Sequence, residues 1–279
     1  VVAAVTTDVS RDACTRHDLQ GAEAVALSRA LTAGCLLTSM GKDSQTRVRI
    51  DLTGAGPVGH VLVDARGDGS VRGCLQHRLP EPVEPMPGIG RPRISHVVGV
   101  AGDIVVTRDF DGGQQYQGVC DVYSGEVDRD IERYLLRSEQ VPSAMLCEVM
   151  LDQSARVLRA AGLLCQTLPG TSAEELDALS PNLFSGALRD MLWAERTPRD
   201  LIGFALLGEA FETWEATPLR YTCSCGPQTA RNVVSALGAS DIEALAHEPG
   251  ATEVKCGYCG TSYALSAEEL LDLAQAIRR

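Results

Sequence analysis

The first 170 residues alternate between apolar and polar positions in a series of short runs. Arg47-Val48-Arg49-Ile50-Asp51-Leu52 has the period of two that is typical of a half-buried β-strand. Turn signals such as Gly67-Asp68-Gly69 separate some of the runs, which indicates antiparallel strands with short connections. Further β patterns lie at 58–63, 71–74, 97–106, 116–122, 144–151 and 156–168.

Two stretches of the same region have a helical pattern. Residues 21–40 carry few charges and predict a buried helix, and apolar residues between 128 and 135 recur on one face of a short helix. The proline-rich stretch from Pro80 to Pro92 is incompatible with a helix or a central strand and predicts an exposed loop. We therefore expect an α+β domain with an antiparallel sheet and helices over residues 1–170.

After Gly170 the pattern becomes helical. Capping-box signals begin at Thr171 and Ser172, and Thr197-Pro198 is a typical helix start. An apolar stripe follows at 201–206. Because isolated helices this short are marginal in water, they must pack on a neighbouring domain to persist. Residues 171–220 are thus predicted to form a metastable helical linker.

Composition and charge count against some classes of binding partner. Of the 279 residues, 44% are hydrophobic, which is enough for a sizeable core. The formal net charge of -12 repels nucleic-acid phosphates and anionic lipid, so neither nucleic acid nor membrane is an expected partner. No apolar run approaches the about 20 residues of a membrane span, and the start of the chain lacks the basic flank of a secretory signal. A cytoplasmic protein is expected.

Four of the ten cysteines form two tight pairs, Cys223-Ser-Cys225 and Cys256-Gly-Tyr-Cys259, with thirty residues between them. Four thiols in this spacing predict one tetrahedral zinc site. All four ligands would come from the protein, so no position stays open for a reactive water, and an enzyme is not expected. The other cysteines stand singly and read as small buried hydrophobic residues: Cys14, Cys35, Cys74, Cys120, Cys147 and Cys165.

The residues around the pairs predict a compact zinc module over 221–279. A helix is expected from Pro227 to Leu237, Ser240 is predicted to cap a second helix, and Ser266 to cap a final helix that ends at Arg279. A module of this size commonly depends on its metal for stability.

Two interpretations of the zinc site follow from its chemistry. The first is a purely structural site, which is the common role of a zinc ion bound by four thiolates. The second interpretation is a redox-labile site. The Cys-x-Cys pair allows a strained disulfide once metal leaves, and Arg220 and Lys255 beside the pairs favour the oxidant-reactive thiolate.

A different class of protein is a zinc-ribbon nucleic-acid-binding module with a structural site. The acidic net charge and the lack of a basic run near the ligands count against it.

The cysteine spacing and its context resemble the heat-shock protein 33 family, the redox-regulated 33 kDa chaperonins of the bacterial cytoplasm. The resemblance covers nearly the whole chain, and it departs from the family at Cys74 and in the loop from Pro80 to Pro92. The matching segments are 221–225, 233–237, 253–263 and 266–270 around the cysteines, and 56–58, 71–73, 131–142 and 161–170 upstream.

This resemblance implies an ATP-independent holdase chaperone that is inactive while reduced and zinc-bound. Under oxidative stress, disulfides Cys223–Cys225 and Cys256–Cys259 would form and zinc would leave. The zinc module and the linker would then unfold and expose apolar surface for unfolding client proteins. The family also implies a homodimer on activation, formed through the N-terminal domain.

Overall fold

The protein forms two compact units, Val1–Thr222 and Cys223–Arg279. The structure is a computed structural model that describes residues 1–39, 45–80, 93–110, 113–168, 170, 176, 178, 179, 182, 183 and 185–278. No helix in these ranges is long and apolar enough to cross a membrane. The division into domains at 170 and 220 stays a prediction.

The first unit contains a six-stranded sheet with the strand order β6-β5-β2-β3-β4-β9. Neighbouring strands are antiparallel except for β4 and β9, which are parallel. The strands are β2 (Arg47–Gly54), β3 (His60–Arg66), β4 (Ser70–Leu75), β5 (Gly102–Asp109), β6 (Gln115–Asp121) and β9 (Arg220–Tyr221). This confirms the predicted antiparallel sheet and the alternation of residues 47–52.

A second, three-stranded antiparallel sheet has the order β1-β8-β7. Helix α2 contacts both sheets, and every residue of it after Gly21 is buried. The predicted buried helix is confirmed. These elements are β1 (Val2–Val5), β7 (Ser143–Leu151), β8 (Val157–Gln166) and α2 (Gly21–Thr38). Further helices of this unit are α1 (Thr7–His17), α3 (Ser95–Val98) and α4 (Val127–Ser138).

The structure differs from the predicted elements at two places in this unit. Residues 95–98 form helix α3, and strand β5 begins only at Gly102, so the β pattern from residue 97 was wrong at its start. Gly99, with φ 92, turns the chain between the two, and periodicity cannot separate helix from strand in so short an apolar run. Strand β1 and helix α1 were not predicted, because β1 has only four residues and the buried face of α1 mixes the small polar Thr7 and Ser10 with Val9 and Ala13.

Among the described residues that follow β8 are the helices α5 (Ala187–Trp193) and α6 (Pro198–Ala205). The predicted start of α6 is confirmed: the Thr197 side chain accepts a hydrogen bond from the Asp200 backbone N–H, and the Asp200 carboxylate accepts one from Thr197 N. Leu201 and Ala205 are buried in a cluster that includes Leu163 of β8. The predicted cap signals at Thr171 and Ser172 and the proline-rich stretch 81–92 lie outside the described residues.

The second unit is small and mostly helical. Its core consists of six buried residues, Val234, Ile242, Ala246, Leu265, Leu270 and Ala274. The elements are α7 (Pro227–Ser235), α8 (Ala239–Ala246), β10 (Thr252–Lys255), β11 (Ser262–Leu265) and α9 (Ala267–Ile277). The predicted cap at Ser266 is confirmed by its reciprocal hydrogen bonds with Glu269. The cap predicted at Ser240 is wrong, because Gly238, with φ 83, turns the chain directly into α8 and places Ser240 in its first turn.

Candidate metal centre

The four predicted ligands come from two short segments of the second unit. Cys223 and Cys225 lie in the extended residues before α7, and Cys256 and Cys259 lie in the turn between the antiparallel strands β10 and β11. This turn is closed by backbone hydrogen bonds from Cys256 N to Thr261 O, 2.8 Å, and from Gly260 N to Cys256 O, 2.9 Å. The local backbone therefore fixes the second pair in one orientation.

The structure brings all four cysteines together. Their sulfur atoms all lie within 4.8 Å of one another. The Sγ atoms of Cys223 and Cys256 are 3.7 Å apart, and those of Cys225 and Cys259 are 3.3 Å apart. Four thiolates about 2.3 Å from a tetrahedral zinc ion lie about 3.8 Å from one another, so the donor set and its spacing fit one such ion.

The thiols of the cluster differ in how readily they ionise. Burial and the neighbouring thiols raise the pKa of Cys225 to about 12. Burial also opposes the ionisation of Cys259, but hydrogen bonds with the side chain and backbone of Thr261 outweigh it and lower the pKa to about 6. A bound cation stabilises all four as thiolates, since a metal deprotonates the thiols that coordinate it.

Two polar neighbours of the sulfur atoms were not predicted as part of the site. The Tyr263 hydroxyl lies 3.1 Å from Cys225 Sγ, and Thr261 Oγ1 lies 3.3 Å from Cys259 Sγ. Both follow Cys259 closely in sequence, Thr261 directly before β11 and Tyr263 within it, and this two-residue spacing is the signal that could have indicated them. Arg220, predicted to favour the thiolates, instead pairs with Asp68, with Nη2 2.8 Å from Oδ2.

We expect the Tyr263→Phe variant to bind zinc about 10- to 100-fold more weakly, because groups that hydrogen-bond to a metal's ligands contribute about that much to affinity. A sulfur that carries metal has no proton to give, so only the hydroxyl can donate in this contact. Competition with a chromophoric chelator measures the affinity. Tyr123→Phe is the control, since Tyr123 is an exposed tyrosine of the first unit. Equal affinity in both variants would assign the Tyr263 hydroxyl no part in metal binding.

The remaining cysteines lie away from this cluster. Cys74 is half-buried and the other five are buried. Burial raises the pKa of Cys14 to about 11, of Cys35 to about 12 and of Cys165 to about 11, which makes these thiols poor nucleophiles. Within the described residues, the four clustered cysteines are the only group of three or more side chains placed to share a metal ion.

The sequence model of the family described as Hsp33 protein matches residues 1–266. The chain belongs to the Hsp33 family. Among curated Hsp33 relatives, the 33 kDa chaperonin of Geobacter sulfurreducens is 32% identical over 277 residues, covering 99% of this chain and 91% of the relative. The 33 kDa chaperonin of Desulfotalea psychrophila is 32% identical over 280 residues, covering 99% and 93%.

A solved Hsp33 structure also matches the fold. The crystal structure of the 33 kDa chaperonin (heat shock protein 33 homolog) from Thermotoga maritima has a TM-score of 0.83 and 29% sequence identity, covering 97% of this chain and 91% of that one. The resemblance indicated by the cysteine motif is thus confirmed, and so is the α+β fold with its C-terminal cluster of four cysteines.

Proposed function

We propose that this protein is a redox-regulated, ATP-independent holdase chaperone, which binds unfolding proteins under oxidative stress after its thiols are oxidised and zinc is released. The observation that carries the proposal is the cluster of four sulfur atoms within 4.8 Å of one another, in a unit whose own apolar core has only six buried residues. Membership of the Hsp33 family supports the chaperone class.

In the reduced state the ligands are Cys223, Cys225, Cys256 and Cys259, with one zinc ion per chain. Zinc neutralises the four thiolates and supplies folding free energy to the second unit. One molecule of hydrogen peroxide oxidises two thiols to a disulfide and is itself reduced to two molecules of water, so two molecules of hydrogen peroxide convert all four thiols. Cys223–Cys225 and Cys256–Cys259 are the proposed disulfides, and their sulfur atoms no longer bind the metal as thiolates.

Loss of the metal is proposed to unfold the second unit and to free α5 and α6. These helices bury Leu188, Leu192 and Leu201 beside Leu163 of β8. Their release would expose the apolar face of the two helices and the apolar surface of β8 that they cover, and hydrophobic segments of unfolding client proteins would bind there. The proposed activated form is a homodimer, and the proposed compartment is the bacterial cytoplasm.

The test measures zinc content and suppression of aggregation of a heat-unfolded model protein, before and after treatment with peroxide at elevated temperature. We expect about one zinc per chain and no suppression before oxidation, and zinc loss with suppression after it. Zinc that stays bound while all thiols remain reduced under the same treatment would favour a purely structural site.

Peptide mapping then decides which thiols pair. In the reduced protein the Sγ atoms of Cys223 and Cys256 are 3.7 Å apart and those of Cys225 and Cys259 are 3.3 Å apart. Disulfides between the two cysteine pairs are therefore the competing outcome. The proposal expects bridges within each pair, because each pair is separated by only one or two residues once the unit has unfolded. Predominant bridges between the pairs would contradict this pairing while leaving zinc release intact.

A further inference from the structure

The outer edge of strand β4 is covered by a very short strand. β4 runs over Ser70–Leu75, whereas its parallel neighbour β9 consists only of Arg220–Tyr221. Val71 O accepts a hydrogen bond from Thr222 N, so the N–H and C=O groups of Val71 point away from β3. Since these groups point to alternate sides along a strand, those of Gly73 and Leu75 also point away from β3. Strand β9 pairs only with Ser70 and Val71, so within the described part of the chain the outward N–H groups of Gly73 and Leu75 have no backbone partner.

Three successive outward carbonyl groups of this edge are occupied by one segment, residues 219–222. Arg220 N donates to Gly69 O at 2.9 Å, and Thr222 N donates to Val71 O at 3.0 Å. The third acceptor, Gly73 O, receives the Tyr221 side-chain hydroxyl at 3.0 Å. A side chain thus takes the place that the next backbone N–H of a longer strand would occupy.

The side chains of the segment indicate what this edge accommodates. Leu219 and Tyr221, two residues apart, both pack against the core cluster of the first unit. The Arg16 guanidinium carbon lies 5.3 Å from the centre of the Tyr221 ring, while Arg220 pairs with the Asp68 carboxylate. The edge therefore fits an extended segment with apolar residues at alternate positions, which is the pattern of strands that folded proteins bury.

We propose that the outer edge of β4 is a strand-addition site for extended segments of unfolding proteins, and that residues 219–222 occupy it as an internal placeholder. An open strand edge is a ready template for pairing with another chain, and addition of an extended peptide to such an edge is a common mode of recognition. The inference rests on the proposed function. The placeholder ends at Thr222, directly before the ligand Cys223, so unfolding around that ligand would free it.

Residue-resolved hydrogen exchange on the full chain tests the site, with reduced carboxymethylated α-lactalbumin as a permanently unfolded probe. Oxidation should speed exchange of the Val71 amide by about tenfold or more, and bound probe should slow it again by a similar factor. The amides of Gly73 and Leu75 should also slow with probe. Those of Arg72 and Cys74, which point toward β3, should stay slow throughout. General coverage by a client would not produce this alternation.

A pair of variants tests the same edge by binding. Leu75→Pro removes an outward N–H and places a ring at the edge, whereas Leu75→Ala removes the same side chain and keeps the N–H. Probe affinity of the oxidised protein should fall about fivefold or more for the proline variant relative to the alanine variant. If the proline variant does not fold, the exchange pattern of the unaltered chain decides.

The outcomes separate this site from the proposed function. Suppressed aggregation with equal slowing of outward and inward amides would overturn the edge site and leave the chaperone function standing. Slowing of Val71 that needs no probe and rises with protein concentration would also overturn it, because a second copy of this chain would then occupy the edge. Absence of any suppression after zinc release would overturn both.

Discussion

Replacing Cys256 by serine is expected to abolish metal binding and to unfold the second unit in one step. The core of this unit has only six buried residues, and binding of a structural zinc contributes on the order of 10 kcal/mol to folding in such modules. Loss of one ligand from four removes most of that free energy. The zinc content measured by elemental analysis should fall from about one ion per chain to near zero. The amide NMR signals of residues 223–278 should move to the positions typical of an unfolded chain.

Cys120→Ser is the matched control for this experiment. Cys120 is a buried cysteine of strand β6 in the first unit, outside the cluster of four. Its serine variant should keep its zinc and the folded signals of the second unit. Full zinc occupancy in the Cys256→Ser protein would show that Cys256 is not a zinc ligand, and a folded but zinc-free second unit would show that the metal is not needed for its fold.

Local patterns in the sequence predicted the parts of the fold that depend on neighbouring residues. The alternation of residues 47–52, the caps at Thr197 and Ser266 and the two cysteine pairs all depend on spacings of a few residues. Such spacings fix which face a side chain occupies, or how close two thiols lie, whatever the rest of the chain does. The strands and the caps were confirmed, and the structure brings the four cysteines of the two pairs together.

Features that depend on contacts distant in sequence were not predicted. Tyr263 meets Cys225 only because β11 pairs with β10 and the chain folds back, across 38 positions. Strand β1 has four residues and is defined by its pairing with β8, and β9 has two and is defined by β4. Segments this short carry too little periodicity to be recognised, so tertiary pairing and not local preference determines their structure.

A substitution in the predicted helical linker is expected to have the second large effect, the release of its helices. Leu201 is the position to change. Leu201 is fully buried in the cluster that joins α5 and α6 to β8. An aspartate there would lose the apolar contacts and bury a carboxylate with no partner, a destabilisation of about 3–5 kcal/mol. This exceeds what a short helix gains from local interactions. In the reduced protein we therefore expect Leu201→Asp to release α5 and α6 while zinc stays bound.

Chaperone activity in reduced, zinc-loaded Leu201→Asp protein is the expected consequence, measured as suppressed aggregation together with faster hydrogen exchange over 187–205. Leu206→Asp is the matched control at the C-terminus of the same helix: Leu206 is only half-buried, so its aspartate variant should be destabilised less and should show less chaperone activity in the reduced state. The second unit and the six-stranded sheet of the first unit should stay protected in both variants, since Leu201 and Leu206 lie outside the buried clusters that form their cores. If Leu201→Asp opens the helices by hydrogen exchange and yet stays inactive until oxidised, release of the linker is not the activating step, and client binding must depend on a surface that only loss of the metal exposes.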